Sequence, residues 1–137
     1  AEINSAEARR QGYEPDSAVC ASDVPAGRPE PWMVYRNMER TGIYPSAAVV
    51  KVGDTLLDIL EGVNAGTWTV GLSKTGNEVG LNEEEVGELS QEELEPLVAH
   101  AERRLRESGA RFVVEAIADL PAVVDEIQGR LSAGEAP

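Results

Sequence analysis

The sequence predicts an α/β domain with a doubly wound parallel sheet, a Rossmann-like core, and three observations predict it. Runs rich in β-branched residues, at 49–53, 67–71 and 112–115, alternate with stretches whose apolar residues recur at helical spacing. The segments that join the first of these elements are only a few residues long, as they are where strands run parallel and helices cross over between them. Glycines at 53, 66, 71 and 109 mark the junctions.

Composition sets the outer limits. With 137 residues, 42% hydrophobic and 27% charged, the chain can bury one modest core but not two. Twenty-five acids against twelve bases leave a net charge of −13, a surface that repels nucleic acid and anionic membranes. No stretch approaches the roughly 18 consecutive apolar residues of a membrane span, and the first residues lack the basic and apolar regions of a signal peptide. The lone cysteine, Cys20, has no partner for an internal disulfide and reads as small apolar filler, so a reducing cytoplasm is the expected compartment. The chain opens without methionine, in what reads as the middle of a helix, and a lost upstream segment is expected from that, with processing as the alternative.

Taken in order, residues 1–11 are polar and alanine-rich, a helix closed by Gly12. Turn chemistry at 13–16 leads into a short strand at 17–21. Pro25, Gly27 and Pro29 exclude regular structure until Pro31 opens a helix that runs to about Arg40, with Trp32, Tyr35 and Met38 as its core stripe. The strand at 49–53 and its helix close at Asn64-Ala65-Gly66, and 67–71 is the next strand. Residues 72–81 read as a loop over the sheet edge. Its Ser73-Lys74-Thr75-Gly76 lacks the glycine frame and the following Lys-Ser/Thr of a phosphate loop.

Asn82 begins a short acidic helix. Ser90-x-x-Glu93 is a capping box for the next one, where Leu94, Leu97, Val98, Ala101 and Leu105 form one stripe toward the core. His100 falls off that stripe, and a chain with a single histidine has neither a histidine metal cluster nor a histidine-based triad. After the strand at 112–115, Leu120, Val123, Val124, Ile127 and Leu131 line the last helix of a domain spanning 1–131, and 132–137 is expected to be a disordered tail. There is no internal repeat.

The chain is organised around 49–62. A β-branched run stops at Gly53, two carboxylates follow at Asp54 and Asp58, and helical spacing then begins. Ligands bind at the carboxyl edge of open α/β sheets, and two acids there suit a hard divalent cation. Thr55-x-x-Asp58 is also a capping box in form, which accounts for Asp58 without any ligand. It accounts less well for Asp54, which precedes the cap. Arg28 lies in the proline-rich loop at the same edge, where a guanidinium on stiff backbone can clamp a phosphoryl or carboxylate group; pairing with one of the many acids is the alternative.

Several motifs together carry a resemblance. Pro25-Ala26-Gly27-Arg28-Pro29-x-Pro31-Trp32-Met33, Tyr44-Pro45, and Lys51-Val52-Gly53-Asp54-Thr55-x-x-Asp58-x-x-Glu61-Gly62-x-Asn64-Ala65-Gly66 are similar to the second half of the phosphonoacetaldehyde hydrolases, of the haloacid dehalogenase superfamily. Gly12-Tyr13-x-Pro15-Asp16 and Ala118-Asp119-Leu120-Pro121 extend the match along nearly the whole chain. Gly-Asp-x-x-x-Asp indicates only the superfamily. The proline-flanked Arg28 motif is narrower, since related phosphatases and mutases usually carry lysine there.

The resemblance implies a haloacid dehalogenase-like sheet and magnesium-dependent cleavage of the carbon–phosphorus bond of phosphonoacetaldehyde, giving acetaldehyde and phosphate. A cap-domain lysine forms an imine as electron sink, and a core aspartate attacks phosphorus. Carried over by position, Asp54 binds magnesium, Asp58 supports the metal's surroundings, and Arg28 acts in catalysis and substrate binding by holding the nucleophile and the phosphoryl oxygens.

The same resemblance implies what this chain lacks: the nucleophile motif, the cap with its lysine, and the Ser/Thr phosphate motif that follows the cap. The expectation is an incomplete core, inactive alone, with a gap about 10 Å wide between the strand near Val19 and the strand near Val50. Open edges facing that gap favour association with a missing N-terminal half, a rearranged or swapped homodimer, or marginal stability. The alternatives are a non-catalytic interaction protein on this fold and a small-molecule phosphatase completed by another chain.

Overall fold

The computed structural model of the chain describes Glu7 and residues 9–137. Most of the helix expected at 1–11 lies outside them. Its described end is helical and closes at Gly12, where φ is +84°.

Three strands, β1 (Val50–Gly53), β2 (Trp68–Leu72) and β3 (Phe112–Val114), form a parallel sheet in the order β1-β2-β3. Val50 pairs with Trp68 and Gly53 with Gly71, and Val70 pairs with Phe112. Helix α1 (Trp32–Thr41) precedes the sheet, α2 (Leu56–Ala65) joins β1 to β2, α3 (Glu83–Glu88) and α4 (Gln91–Glu107) join β2 to β3, and α5 (Leu120–Ser132) follows.

Strand alternation sends successive side chains to opposite faces, and each face has its own cluster. On one, Trp68 and Val70 pack with Val50, Val52, Phe112 and Val114 against Ile127, Leu120, Val123 and Leu131 of α5. On the other, Ile59 and Leu56 of α2 meet Leu105 of α4 with Ala110 and Val113. Helices therefore cover both faces, as the doubly wound pattern requires. Gly71 lets α4 sit close, since a Cβ there would press on the Leu105 side chain.

Four local expectations change. Residues 17–20 do not form a strand, because no ladder partner lies beside them among the described residues; Arg40 Nη1 instead donates to the Ala18 carbonyl at 2.8 Å, and a 3-10 turn follows at Ala21–Asp23. Trp32 and Tyr35 are exposed and Val34 is the buried residue of α1, because the main partner of α1 is α2 at the margin. Leu97 faces outward, leaving Ala101 and Leu105 as the buried part of the α4 stripe. The end of the chain is tied down rather than loose: Glu135 accepts from Arg111 at 2.6 Å and from Arg130 at 3.1 Å. No helix among the described residues is long and apolar enough to cross a membrane.

Candidate functional site

The site begins at the glycine that ends β1. A side chain at Gly53 would overlap the Asp58 side chain, so only glycine lets the first turn of α2 fold back over the strand end. Thr55 is the N-cap of α2, accepting from the Asp58 amide at 3.2 Å, while Asp58 Oδ2 accepts from the Thr55 amide at 3.2 Å and its hydroxyl at 2.7 Å. The capping reading of Asp58 is therefore correct as far as one of its oxygens goes.

The other oxygen faces cations. Arg28 Nη1 donates to Asp58 Oδ1 at 2.5 Å, and Lys51 Nζ lies 3.6 Å from the same atom. The loop that delivers Arg28 is fixed from below by Asn64, whose side-chain amide donates to the Pro29 carbonyl at 2.9 Å. Asn64 belongs to the C-terminal turn of α2, so one helix positions both members of the ion pair. Burial pushes the Asp58 carboxyl up, but the bonds from Thr55 and Arg28 and the Lys51 charge outweigh it and hold the carboxyl below its usual range. Arg28 is pushed up in turn, by its bond to Asp58 first and by the Asp58, Glu61 and Asp54 charges.

Asp54 stands on the same strand-end loop. Its Oδ2 accepts from the Asn77 amide at 3.1 Å, tying the loop after β2 to the rim. The structure thus brings Arg28 and Asp58 into direct contact and keeps Asp54 on the same strand-end loop, held by the Asn77 amide.

Two further charged residues belong to this cluster, and their motif positions alone did not reveal it. Lys51 Nζ donates to Glu61 Oε2 at 2.6 Å, and Glu61 is fully buried. The available signals were a lysine inside a β-branched run and a glutamate three residues after Asp58 on the inward face of α2.

Beside the cluster runs a groove of about 980 Å³. Val19 and Cys20 line one wall, Val49, Val50 and Lys51 the other, with Arg28 and Glu61 also facing it. It follows the edge of β1, which is an edge strand among the described residues.

A cation is a different matter. Among the described residues no group of three or more His, Cys, Asp or Glu side chains is arranged to hold a metal ion. Asp58 is committed to Arg28 and Thr55, and Asp54 offers a carboxylate already sharing one oxygen with Asn77. These residues supply at most one ligand of the six or so oxygens that a hard divalent cation takes. His100 is exposed, and Cys20 is half-buried in the groove wall.

Comparison with known proteins fits this geometry. Residues 15–72 match a family model described as haloacid dehalogenase-like hydrolase. A phosphonoacetaldehyde hydrolase-like protein of Syntrophobacter fumaroxidans is 56% identical over 126 residues, covering 92% of this chain and 46% of the relative. A phosphonoacetaldehyde hydrolase of Nitratidesulfovibrio vulgaris is 48% identical over 136 residues, covering 99% and 49%. The crystal structure of a phosphonoacetaldehyde hydrolase-like protein from Oleispira antarctica superposes with a TM-score of 0.93 at 43% identity, over 96% of this chain and 48% of that one. The chain spans about half the length of the curated relatives it matches.

Proposed function

We propose, from the premise that this chain is a haloacid dehalogenase-like homologue of the phosphonoacetaldehyde hydrolases over about half their length, that it forms the phosphoryl-holding part of a hydrolase cleaving the carbon–phosphorus bond of phosphonoacetaldehyde. The observation that carries this reading is Arg28 on Asp58 at the carboxyl end of β1. A guanidinium has five N–H donors in a planar fork. One is fixed by Asp58, and the half-exposed remainder suits two oxygens of a phosphoryl group.

As the carbon–phosphorus bond breaks, its electron pair goes to carbon and the phosphoryl group passes to an attacking carboxylate. The carbon fragment, left as an enamine on the lysine, takes a proton at carbon and is released as acetaldehyde when water hydrolyses the imine. A second water hydrolyses the acyl phosphate to free phosphate and restore the carboxylate. In this reading the attacking carboxylate and the imine-forming lysine come from a complementing half. Arg28 stabilises the charge on the phosphoryl oxygens throughout, and Asp58 acts through Arg28 by fixing its plane. Asp54 would contribute one oxygen to a magnesium ion whose other ligands come from that half; when bound, the ion neutralises phosphoryl charge.

The groove along β1 supports this division. An open strand edge recruits a further strand, and this one is flanked by apolar walls and by both partners of the Lys51–Glu61 pair. The complementing half is its proposed occupant, in the cytoplasm and without nucleic acid or membrane. A second copy of the chain is the competing outcome.

The experiment supplies the chain with the remaining half of a phosphonoacetaldehyde hydrolase and magnesium, then measures acetaldehyde and phosphate. The reading expects acetaldehyde from the mixture and neither product from the chain alone. Release of phosphate from simple phosphate esters in preference to phosphonoacetaldehyde would replace it with a phosphatase, and a stable homodimer indifferent to the added half would replace it with an interaction protein.

A further inference from the structure

Two cations compete for one oxygen at the rim. Arg28 Nη1 lies 2.5 Å from Asp58 Oδ1 and Lys51 Nζ lies 3.6 Å from that atom, while Lys51 Nζ lies 2.6 Å from Glu61 Oε2. Asp58 and Glu61 are one helical turn apart on the inward face of α2, and both are buried. Lys51 reaches them from the α2 side of β1. Gly62 leaves room for its stem, since a Cβ there would overlap Lys51 Cβ and Cγ.

Stability does not explain charge at these positions. Removing a carboxylate and an ammonium from water costs about what their attraction returns, and an apolar pair of similar volume is often as stable or more so. Glu61 also leaves Oε1 buried without a partner, which adds the cost of an unsatisfied acceptor. What the pair does accomplish is geometric. Released from Glu61, the Lys51 ammonium has one other buried carboxylate in reach, and that carboxylate is the one holding Arg28.

We infer that Glu61 is a positioning residue: by holding the Lys51 ammonium it keeps that charge off Asp58, and so leaves Asp58 free to fix the Arg28 guanidinium at the groove. The functional consequence rests on the reading of Arg28 as the phosphoryl-holding group, whereas the geometry does not.

The test reads the guanidinium in the full chain. A guanidinium held by a carboxylate rotates slowly enough for its Nη–H groups to give resolved nitrogen-15 resonances. The unsubstituted chain is expected to show such a resonance for Arg28, identified by its absence in Arg28→Lys. In Glu61→Gln it should disappear while the backbone amide spectrum stays dispersed, because Lys51 now takes Asp58. In the double variant Lys51→Met with Glu61→Leu it should return, because competitor and holder are both gone. Persistence of the resonance in Glu61→Gln overturns the inference, and so does its loss in the folded double variant. Should Glu61→Gln not fold, Glu61→Met, which keeps the volume and leaves Lys51 unheld, is read in its place by the same criterion.

Titration of the three proteins with inorganic phosphate separates this inference from the functional one. Binding weakened about tenfold in Glu61→Gln and restored in the double variant supports both. An unsubstituted chain that shows the resonance but binds no phosphate, alone or with the complementing half, removes the phosphoryl reading and leaves the positioning role supported by the resonance.

Discussion

Arg28 and Asp58, 30 residues apart in sequence, share a 2.5 Å hydrogen bond that joins a proline-stiffened loop to the first turn of α2. Asp58 is at once a helix-capping residue and the anchor of a guanidinium. Its two oxygens divide the tasks, Oδ2 toward Thr55 and Oδ1 toward Arg28.

Replacing Asp58 with asparagine removes the charge and one of the two acceptor oxygens, so the ion pair is lost and Thr55 and Arg28 compete for the oxygen that remains. Weakening of the reciprocal cap costs up to about 1 kcal/mol. The ion pair adds up to about 1 kcal/mol more, discounted because the Arg28 side chain is 45% exposed. Urea unfolding should therefore show Asp58→Asn destabilised by about 1–2 kcal/mol, and a double-mutant cycle with Arg28→Met should assign no more than half of that to the pair.

The pH dependence has a definite sign. The Asp58 carboxyl is held below its ordinary value in the folded chain, so its contribution is complete above the unfolded value of about 3.9 and is lost as pH falls through the lower folded value. Glu93, capped on Ser90, shifts in the same direction. Stability measured from pH 6 downward should drop more steeply below about pH 4 in the parent chain than in Asp58→Asn, with Glu93→Gln accounting for part of the remaining slope.

Two glycines separate steric need from accident. Gly53→Ala places a methyl group inside the Asp58 side chain and should cost about 3 kcal/mol, the upper part of the range for overpacking. Gly129→Ala, in α5 with nothing near the added carbon and no left-handed backbone, should stabilise by about 0.4–1 kcal/mol. Thermal or urea unfolding of both variants checks the pair.

What the sequence made legible was local. The boxes Thr55-x-x-Asp58 and Ser90-x-x-Glu93 close as their spacing implies, because capping involves residues within one turn. The strand and helix alternation from 50 to 132 survives because periodicity records which face is apolar. Periodicity does not record whether that face has a neighbour. Trp32 and Tyr35 share one side of α1 and remain exposed, and 17–20 stays unpaired because a ladder needs a second strand. At the site, Arg28, Asp54 and Asp58 were visible as motif residues. The partnership of Lys51 with Glu61 crosses a strand, a loop and half a helix, and the contact of Asp54 with Asn77 crosses two loops, so neither leaves a short-range signature.

The central claim is that the rim formed by Arg28, Asp54 and Asp58 serves phosphoryl chemistry once the chain is completed. Acetaldehyde release from phosphonoacetaldehyde by the completed protein, compared between the parent and Asp54→Asn in the presence of magnesium, tests it most directly. The account predicts a fall of about a hundredfold or more, the scale of losing one charge-stabilising group in the transition state. Turnover by Asp54→Asn equal to the parent would contradict it.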